Sequence, residues 1–151
     1  MREVIIEKEV REQFTNIQRN YDFKREIGGI IIGKFDAHRM CLCITDISFP
    51  FGHDIGSRFR FFRNNEGHQK LMDEVWEQSN HIKAYLGEWH THDQDNPSPS
   101  FVDKRSWLRI SKRNNNFDQS CFIIVGHKEF RLWNIANGEI VEQKGIDYGK
   151  E

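Results

Sequence analysis

Cysteine, proline and long apolar runs are all scarce in this chain. Its 151 residues hold three cysteines, an odd number. Cys41 and Cys43 lie two positions apart and cannot staple a fold. Reduced thiols in a cytoplasmic protein are therefore expected. Three prolines, and no Pro/Gly/Ser-rich tract, leave nothing to serve as a linker. Residues 1–151 read as a single domain. The longest apolar run, near Ile30–Ile32, is far short of the roughly 20 residues that a membrane-spanning helix needs. Arg2, Glu3, Glu7, Lys8 and Glu9 exclude a signal-peptide core from the first ten residues. Charge of one sign is missing too, since 22 basic side chains face 23 acidic ones and the net charge is −1. So weak a field argues against nucleic acid or membrane as a partner held by bulk charge.

Apolar material is present in quantity. Hydrophobic residues make up 37% of the chain, with 12 Phe and 4 Trp. That suffices for a packed core and argues against intrinsic disorder. Val10, Phe14, Ile17 and Tyr21 recur every three to four residues and predict a helix. Ile30–Gly33, Met40–Ile47 and Arg58–Arg63 read as strands. Leu71, Met72, Val75 and Trp76 share a helical face opposite Asp73, Glu74, Glu77 and Gln78. Tyr85–His92 is again strand. Pro97 and Pro99 break it, and Ser98 as N-cap with Pro99 as first residue predicts a helix that ends near Asn114–Asn116. Gly126-His127 separates Cys121–Val125 from Phe130–Ile135, as in a hairpin. The expected fold is α+β, with a mixed, largely antiparallel sheet flanked by helices.

The segment Glu88-Trp89-His90-Thr91-His92 carries the chemistry. On a strand, residues two apart face the same side, so His90 and His92 present both imidazoles to one spot. On a helix, residues three apart share a face, so Ser100 and Asp103 project together. A loop that folds the helix back over the strand end brings two imidazoles and a carboxylate together. Such a set with an open fourth position is that of a zinc hydrolase. A lone histidine is ordinarily structural or exposed, and each fragment of the pattern is common. The whole, His-x-His, seven residues, Ser, two residues, Asp, is specific. Asp93 and Asp95 remain rival third ligands, and Glu88 is a rival general base or an orienting partner for an imidazole. A deaminase zinc site is excluded, because it requires a Pro-Cys-x-x-Cys run that the chain lacks.

This pattern resembles the JAB/MPN zinc metallopeptidases, in which a distant upstream glutamate precedes a glycine-containing apolar strand. Glu26 before Ile27-Gly28-Gly29-Ile30-Ile31-Ile32-Gly33 matches that setting, and the likeness covers most of the chain. Gly87–His92, Gly67-His68-Gln69 and Arg105-Ser106-Trp107 are similar to the small stand-alone JAB deconjugases of antiphage CBASS operons. The resemblance implies one zinc ion per chain on His90, His92 and Asp103, with water as fourth ligand. It implies Glu26 as general base and Ser100 as oxyanion donor. It also implies an isopeptidase that cuts after the C-terminal tail of a ubiquitin-like modifier or conjugated protein, with E1/E2-like proteins encoded nearby. Some JAB/MPN members are scaffolds without activity; they usually lose ligands, and this chain keeps them all.

Other candidates take ordinary roles. Cys41 and Cys43 are expected in the core. His68 is expected to cap a helix or face solvent. Arg58, Arg60 and Arg63, interleaved with Phe59, Phe61 and Phe62, read as an edge strand. Lys104, Arg105, Arg109, Lys112 and Arg113 mark a solvated helix face. His38, His53, His81 and His127 have no partner that spacing identifies.

Overall fold

Helical periodicity at Val10, Phe14 and Ile17 becomes α1 (Lys8–Asn20), which buries those side chains. The structure is a computed structural model and describes residues 1–49, 55–56, 61–62 and 65–144. The strands are β1 (Val4–Ile6), β2 (Gly28–Asp36), β3 (Cys41–Ile47), β4 (Ile55–Gly56), β5 (Phe61–Phe62), β6 (Ala84–Thr91), β7 (Ser120–Val125), β8 (Phe130–Ala136) and β9 (Glu139–Glu142). Helix α2 (Asn65–Gln78) precedes β6, and α3 (Phe101–Arg113) connects β6 to β7. Seven strands form one sheet in the order β1-β3-β2-β6-β7-β8-β9, and β4 pairs with β5 separately. Of the six pairings in the large sheet, β1/β3 and β6/β7 are parallel and the other four antiparallel. The expected α+β class and largely antiparallel sheet are observed.

Both faces of the sheet are covered. Val10, Phe14 and Ile17 of α1 pack on Ile31, Leu42, Ile44, Leu86, Trp89 and Ile123. Residues one position along point the other way. There Phe122 and Ile124 meet Trp107 of α3, while Ile30 and Ile32 meet Met72 of α2. Burial on both faces explains why β7, Ser-Cys-Phe-Ile-Ile-Val, is apolar without alternation. Because Trp89 belongs to the α1 face, His90 faces the side that α2 and α3 share.

Two strands and one helix start differ from the sequence reading. The strands β1 and β9 carry no usable sequence signal: β1 is three residues long, and β9 alternates weakly at an edge. Helix α3 starts two residues later than expected, with Ser100 rather than Ser98 as N-cap, because Ser100 and Asp103 form a capping box. Of the expected strand Arg58–Arg63, only Phe61–Phe62 falls within the described residues, as β5. The Gly126 turn does close a hairpin, through Gly126 N–H to the Glu129 carbonyl at 2.8 Å.

Candidate active site

Strands β2 and β6 meet where the chemistry lies, with Gly28 opposite His90. A Cβ on Gly28 would lie 2.1 Å from the Trp89 carbonyl oxygen, so only glycine allows this approach. Just before it, Thr91 clamps Ile27. Thr91 N–H donates to the Ile27 carbonyl at 2.8 Å, and Ile27 N–H donates to Thr91 Oγ1 at 3.0 Å. This clamp fixes Glu26 beside the histidines although 64 residues separate Glu26 from His90 in sequence. Trp89 anchors the same strand from the other face, donating Nε1–H to the Ser48 carbonyl at 2.9 Å and meeting Phe14 edge to face.

Strand alternation brings His90 Nε2 within 3.1 Å of His92 Nε2. Asp103 faces both, with Oδ1 3.3 Å from His90 Nε2 and Oδ2 3.2 Å from His92 Nε2. Glu26 Oε1 lies 3.5 Å from His92 Nε2. Glu26 is buried, and its Oε2 has no hydrogen-bond partner among the described residues. A buried, unpartnered carboxylate oxygen marks a place where something polar is missing.

The electrostatics agree. Burial pushes the Glu26 carboxyl above its usual range, against the pull of His90 and His92. Burial acts on Asp103 in the same sense, but its hydrogen bonds to His90 and His92 win and hold it well below the carboxylate range. Burial also opposes the charged form of His92; the Asp103 hydrogen bond and the Asp103 and Glu26 charges override it and raise its pKa. Two carboxylates and two imidazoles crowded together in this way form a cation-seeking cluster.

Gln94, which sequence reasoning missed, orients one imidazole. Its Oε1 accepts Ser98 N–H at 3.1 Å and lies 3.3 Å from His92 Nδ1. An acceptor there favours a proton on Nδ1, so Nε2 is the nitrogen a metal in the cluster would take once its own proton leaves. Ser100 Oγ accepts Asp103 N–H at 3.0 Å, which leaves the hydroxyl proton free to donate.

Glu26, His90, His92 and Asp103 therefore lie together, with Ser100 bonded to Asp103, and the other acids have partners of their own. Asp93 pairs with His127, and Asp95 with Lys128 at 3.6 Å. Glu88 accepts a hydrogen bond from Tyr85 at 3.0 Å. The expectation for His68 is overturned. It is fully buried, with Nδ1 2.6 Å from Ser48 Oγ, because the end of β3 packs onto it. His81 stacks on Trp76 and pairs with Glu77. His53 lies outside the described residues. Lys104, Arg105, Arg109, Lys112 and Arg113 are all exposed, as expected.

A tetrahedral zinc ion with bonds of about 2.0–2.1 Å sets its donor atoms about 3.3–3.4 Å apart. The 3.1 Å between His90 Nε2 and His92 Nε2 is close to that spacing, and Asp103 sets one carboxylate oxygen 3.3 Å from His90 and the other 3.2 Å from His92. Glu26, His90 and His92 also offer donors within 4.8 Å of one another, but Glu26 approaches only one of the two imidazole nitrogens closely.

An α+β domain with a mixed seven-stranded sheet, carrying a His-His-carboxylate cluster where two central strands meet, defines a class of protein. The chain belongs to the prokaryotic homologs of the JAB domain, whose family model matches residues 7–136. It is 37% identical over 141 residues to a protein of Escherichia coli named CD-NTase/cGAS isopeptidase, covering 93% of this chain and 87% of that one. A Vibrio cholerae protein of the same name is 36% identical over 130 residues, covering 85% and 80%. A Desulfitobacterium hafniense protein solved in solution shares the fold, with a TM-score of 0.60 and 13% identity over 99% of this chain and 100% of that one. Among the described residues, no helix is long and apolar enough to cross a membrane.

Proposed function

We propose that this protein is a zinc-dependent isopeptidase that releases a conjugated protein from its target by cutting after the conjugated protein's C-terminal residue. The relatives' name, CD-NTase/cGAS isopeptidase, supports a conjugated protein as the substrate class. That E1/E2-like proteins make the conjugate, in bacterial antiphage defence, is part of the same proposal. The observation that carries this reading is the spacing of His90, His92 and Asp103 around one point beside a buried glutamate.

His90, His92 and Asp103 would hold the metal, one ion per chain, with water as the fourth ligand. Bound zinc supplies Lewis acidity and lowers the pKa of water from about 15.7 toward ~7. Glu26 takes a proton from the attacking water and passes it to the departing amine nitrogen. Burial raises its affinity for that proton, as a shuttle requires. The water oxygen ends on the carbonyl carbon as the carbon–nitrogen bond breaks. Ser100 donates its free hydroxyl proton to the carbonyl oxygen while that oxygen gains negative charge.

The substrate tail must arrive extended to set its carbonyl here, and pairing beside a strand fixes its register. A cavity of about 560 Å³ between α2 and β6, lined by Ile30, His68, Met72, Trp76, Tyr85 and Asn116, supports this approach. Glu88 pairs with Ile30, which lines that cavity, and precedes His90 by two residues on β6. Small residues, glycine above all, suit the last positions of the tail.

The test is incubation with a conjugate made by the neighbouring E1/E2-like proteins, read by mass spectrometry alongside zinc content. Release of the conjugated protein with an intact C-terminus supports the reading. Stoichiometric zinc with no cleavage of any conjugate, or cuts scattered through unrelated loops, overturns it. A chain without metal or activity is a scaffold.

A further inference from the structure

Cys121 packs in the apolar cluster beneath α1, but Cys41 and Cys43 belong to none of the three apolar clusters among the described residues. Both are nonetheless buried, at 3% and 0% exposure. They point to one side of β3, and the hairpin register places Asp36 of β2 directly opposite Cys41. The two thiols and the Asp36 carboxylate offer donor atoms within 4.8 Å of one another.

This cluster already attracts a cation. Arg39 Nε donates to Asp36 Oδ2 at 2.8 Å, and its Nη2 lies 3.6 Å from Cys43 Sγ. The Arg39 side chain is 56% exposed and can swing into solvent, whereas Asp36 is held. Asp36 Oδ1 accepts the N–H groups of His38 at 2.9 Å and Arg39 at 3.1 Å, which aims the carboxylate at the thiols. Burial and the neighbouring Cys41 push the Cys43 thiol up to about 11.

We propose that Asp36, Cys41 and Cys43 form a second metal site, a thiolate-based zinc site that pins the end of the β2–β3 hairpin. Zinc displaces the two thiol protons to solvent and frees Arg39. Two sulfurs and one carboxylate oxygen then bind it, and a water completes the tetrahedron. Thiolate donors select a soft cation over magnesium or calcium. Asp36 lies eight residues along β2 from Gly28, roughly 26 Å away at strand rise. The site is therefore separate from the His90 and His92 cluster and does not rest on the proposed reaction.

The experiment is a cobalt(II) titration of the reduced, metal-free full chain under anaerobic conditions. Thiolate-to-cobalt charge-transfer absorption in the near ultraviolet reports sulfur ligation. The His90, His92 and Asp103 set holds no sulfur and cannot produce it. The proposal expects this band to saturate by about two equivalents of cobalt per chain, one for each site. It also expects the band to vanish in the Cys41→Ser/Cys43→Ser variant although Cys121 remains. Asp36→Asn, which keeps both thiols, should weaken the cobalt affinity read at that band by roughly tenfold or more. It also serves where the double variant fails to fold. Cobalt bound without sulfur absorption overturns the proposal. So does a band that survives loss of both cysteines, or one that Asp36→Asn leaves unchanged.

Discussion

Ser100 and Asp103 hold each other through two reciprocal hydrogen bonds. Ser100 N–H donates to Asp103 Oδ2 at 2.9 Å, and Asp103 N–H donates to Ser100 Oγ at 3.0 Å. This capping box starts α3, and it also aims the Asp103 carboxylate at both imidazoles and presents the Ser100 hydroxyl. The two roles separate on substitution. Ser100→Ala removes the cap acceptor, worth about 0.5–2 kcal/mol of stability. It also removes the oxyanion donor, worth about 10²–10³ in kcat. The backbone N–H that orients Asp103 survives, so zinc content should stay near wild type. Ser100→Thr should restore most of both. Thermal melts, metal analysis and steady-state kinetics on the three proteins check this. A Ser100→Ala protein with wild-type kcat refutes the donor role.

Glu26 and Glu88 make a contrasting pair. Glu26→Gln should retain zinc and lose about 10²–10⁴ in kcat, because a proton shuttle is not a ligand. Glu88→Gln should cost far less, since Glu88 is engaged with Tyr85. Turnover of both variants at matched zinc loading checks this. A reversed order reassigns the base.

Periodicity explains why half of this site is legible in the sequence. A strand's period of two puts His90 and His92 on one side, and a helix's i, i+3 spacing puts Ser100 with Asp103. These relations are local and need no knowledge of the fold. Glu26 is different, because only the register of Gly28 against His90 brings it in, and pairing across a sheet is not written in either strand alone. His68 was misread for a related reason. Its burial depends on Ser48, which lies 20 residues away at the end of another element. Gln94 has no spacing signal, and its role follows from the loop path between β6 and α3. The edge strand β1 escaped because its three residues are too few to show a period.

Metal content should follow Asp103 and not the loop acids. Asp103→Ala removes a carboxylate that approaches both imidazoles, so the purified variant should lose zinc from this site and activity together. Asp93→Ala and Asp95→Ala should retain zinc, because these residues face His127 and Lys128. Chelation should abolish cleavage by the wild type, and added zinc should restore it. Zinc analysis of the three variants decides the assignment. Normal loading of this site in Asp103→Ala moves the third ligand to the loop.

The loop that leads to Ser100 is tied down from the sheet edge by Arg131, and pH separates the two halves of that tie. Arg131 donates Nη1–H to the Pro97 carbonyl at 2.7 Å and holds Glu142 through Nε, at 2.9 Å, and Nη2. The Arg131 hydrogen bond, ahead of the opposing effect of burial, lowers the Glu142 pKa. A carboxyl whose folded pKa is depressed stabilises the fold above its unfolded pKa, and that contribution fades as pH falls through the folded value. Glu142→Gln should therefore cost about 1 kcal/mol at neutral pH. The gap to wild type should close as pH drops below the usual glutamate range. Catalysis should change little, because Arg131 still reaches Pro97. Arg131→Met frees the Pro97 carbonyl as well, so the loop before α3 loosens. It should lower kcat more than Glu142→Gln does at equal loss of stability. Denaturant melts from acid to neutral pH, paired with kinetics of both variants at neutral pH, test this. A stability gap for Glu142→Gln that is constant with pH would show that packing, and not the ion pair, accounts for the loss. Equal kcat in the two variants would show that Pro97 needs no tie.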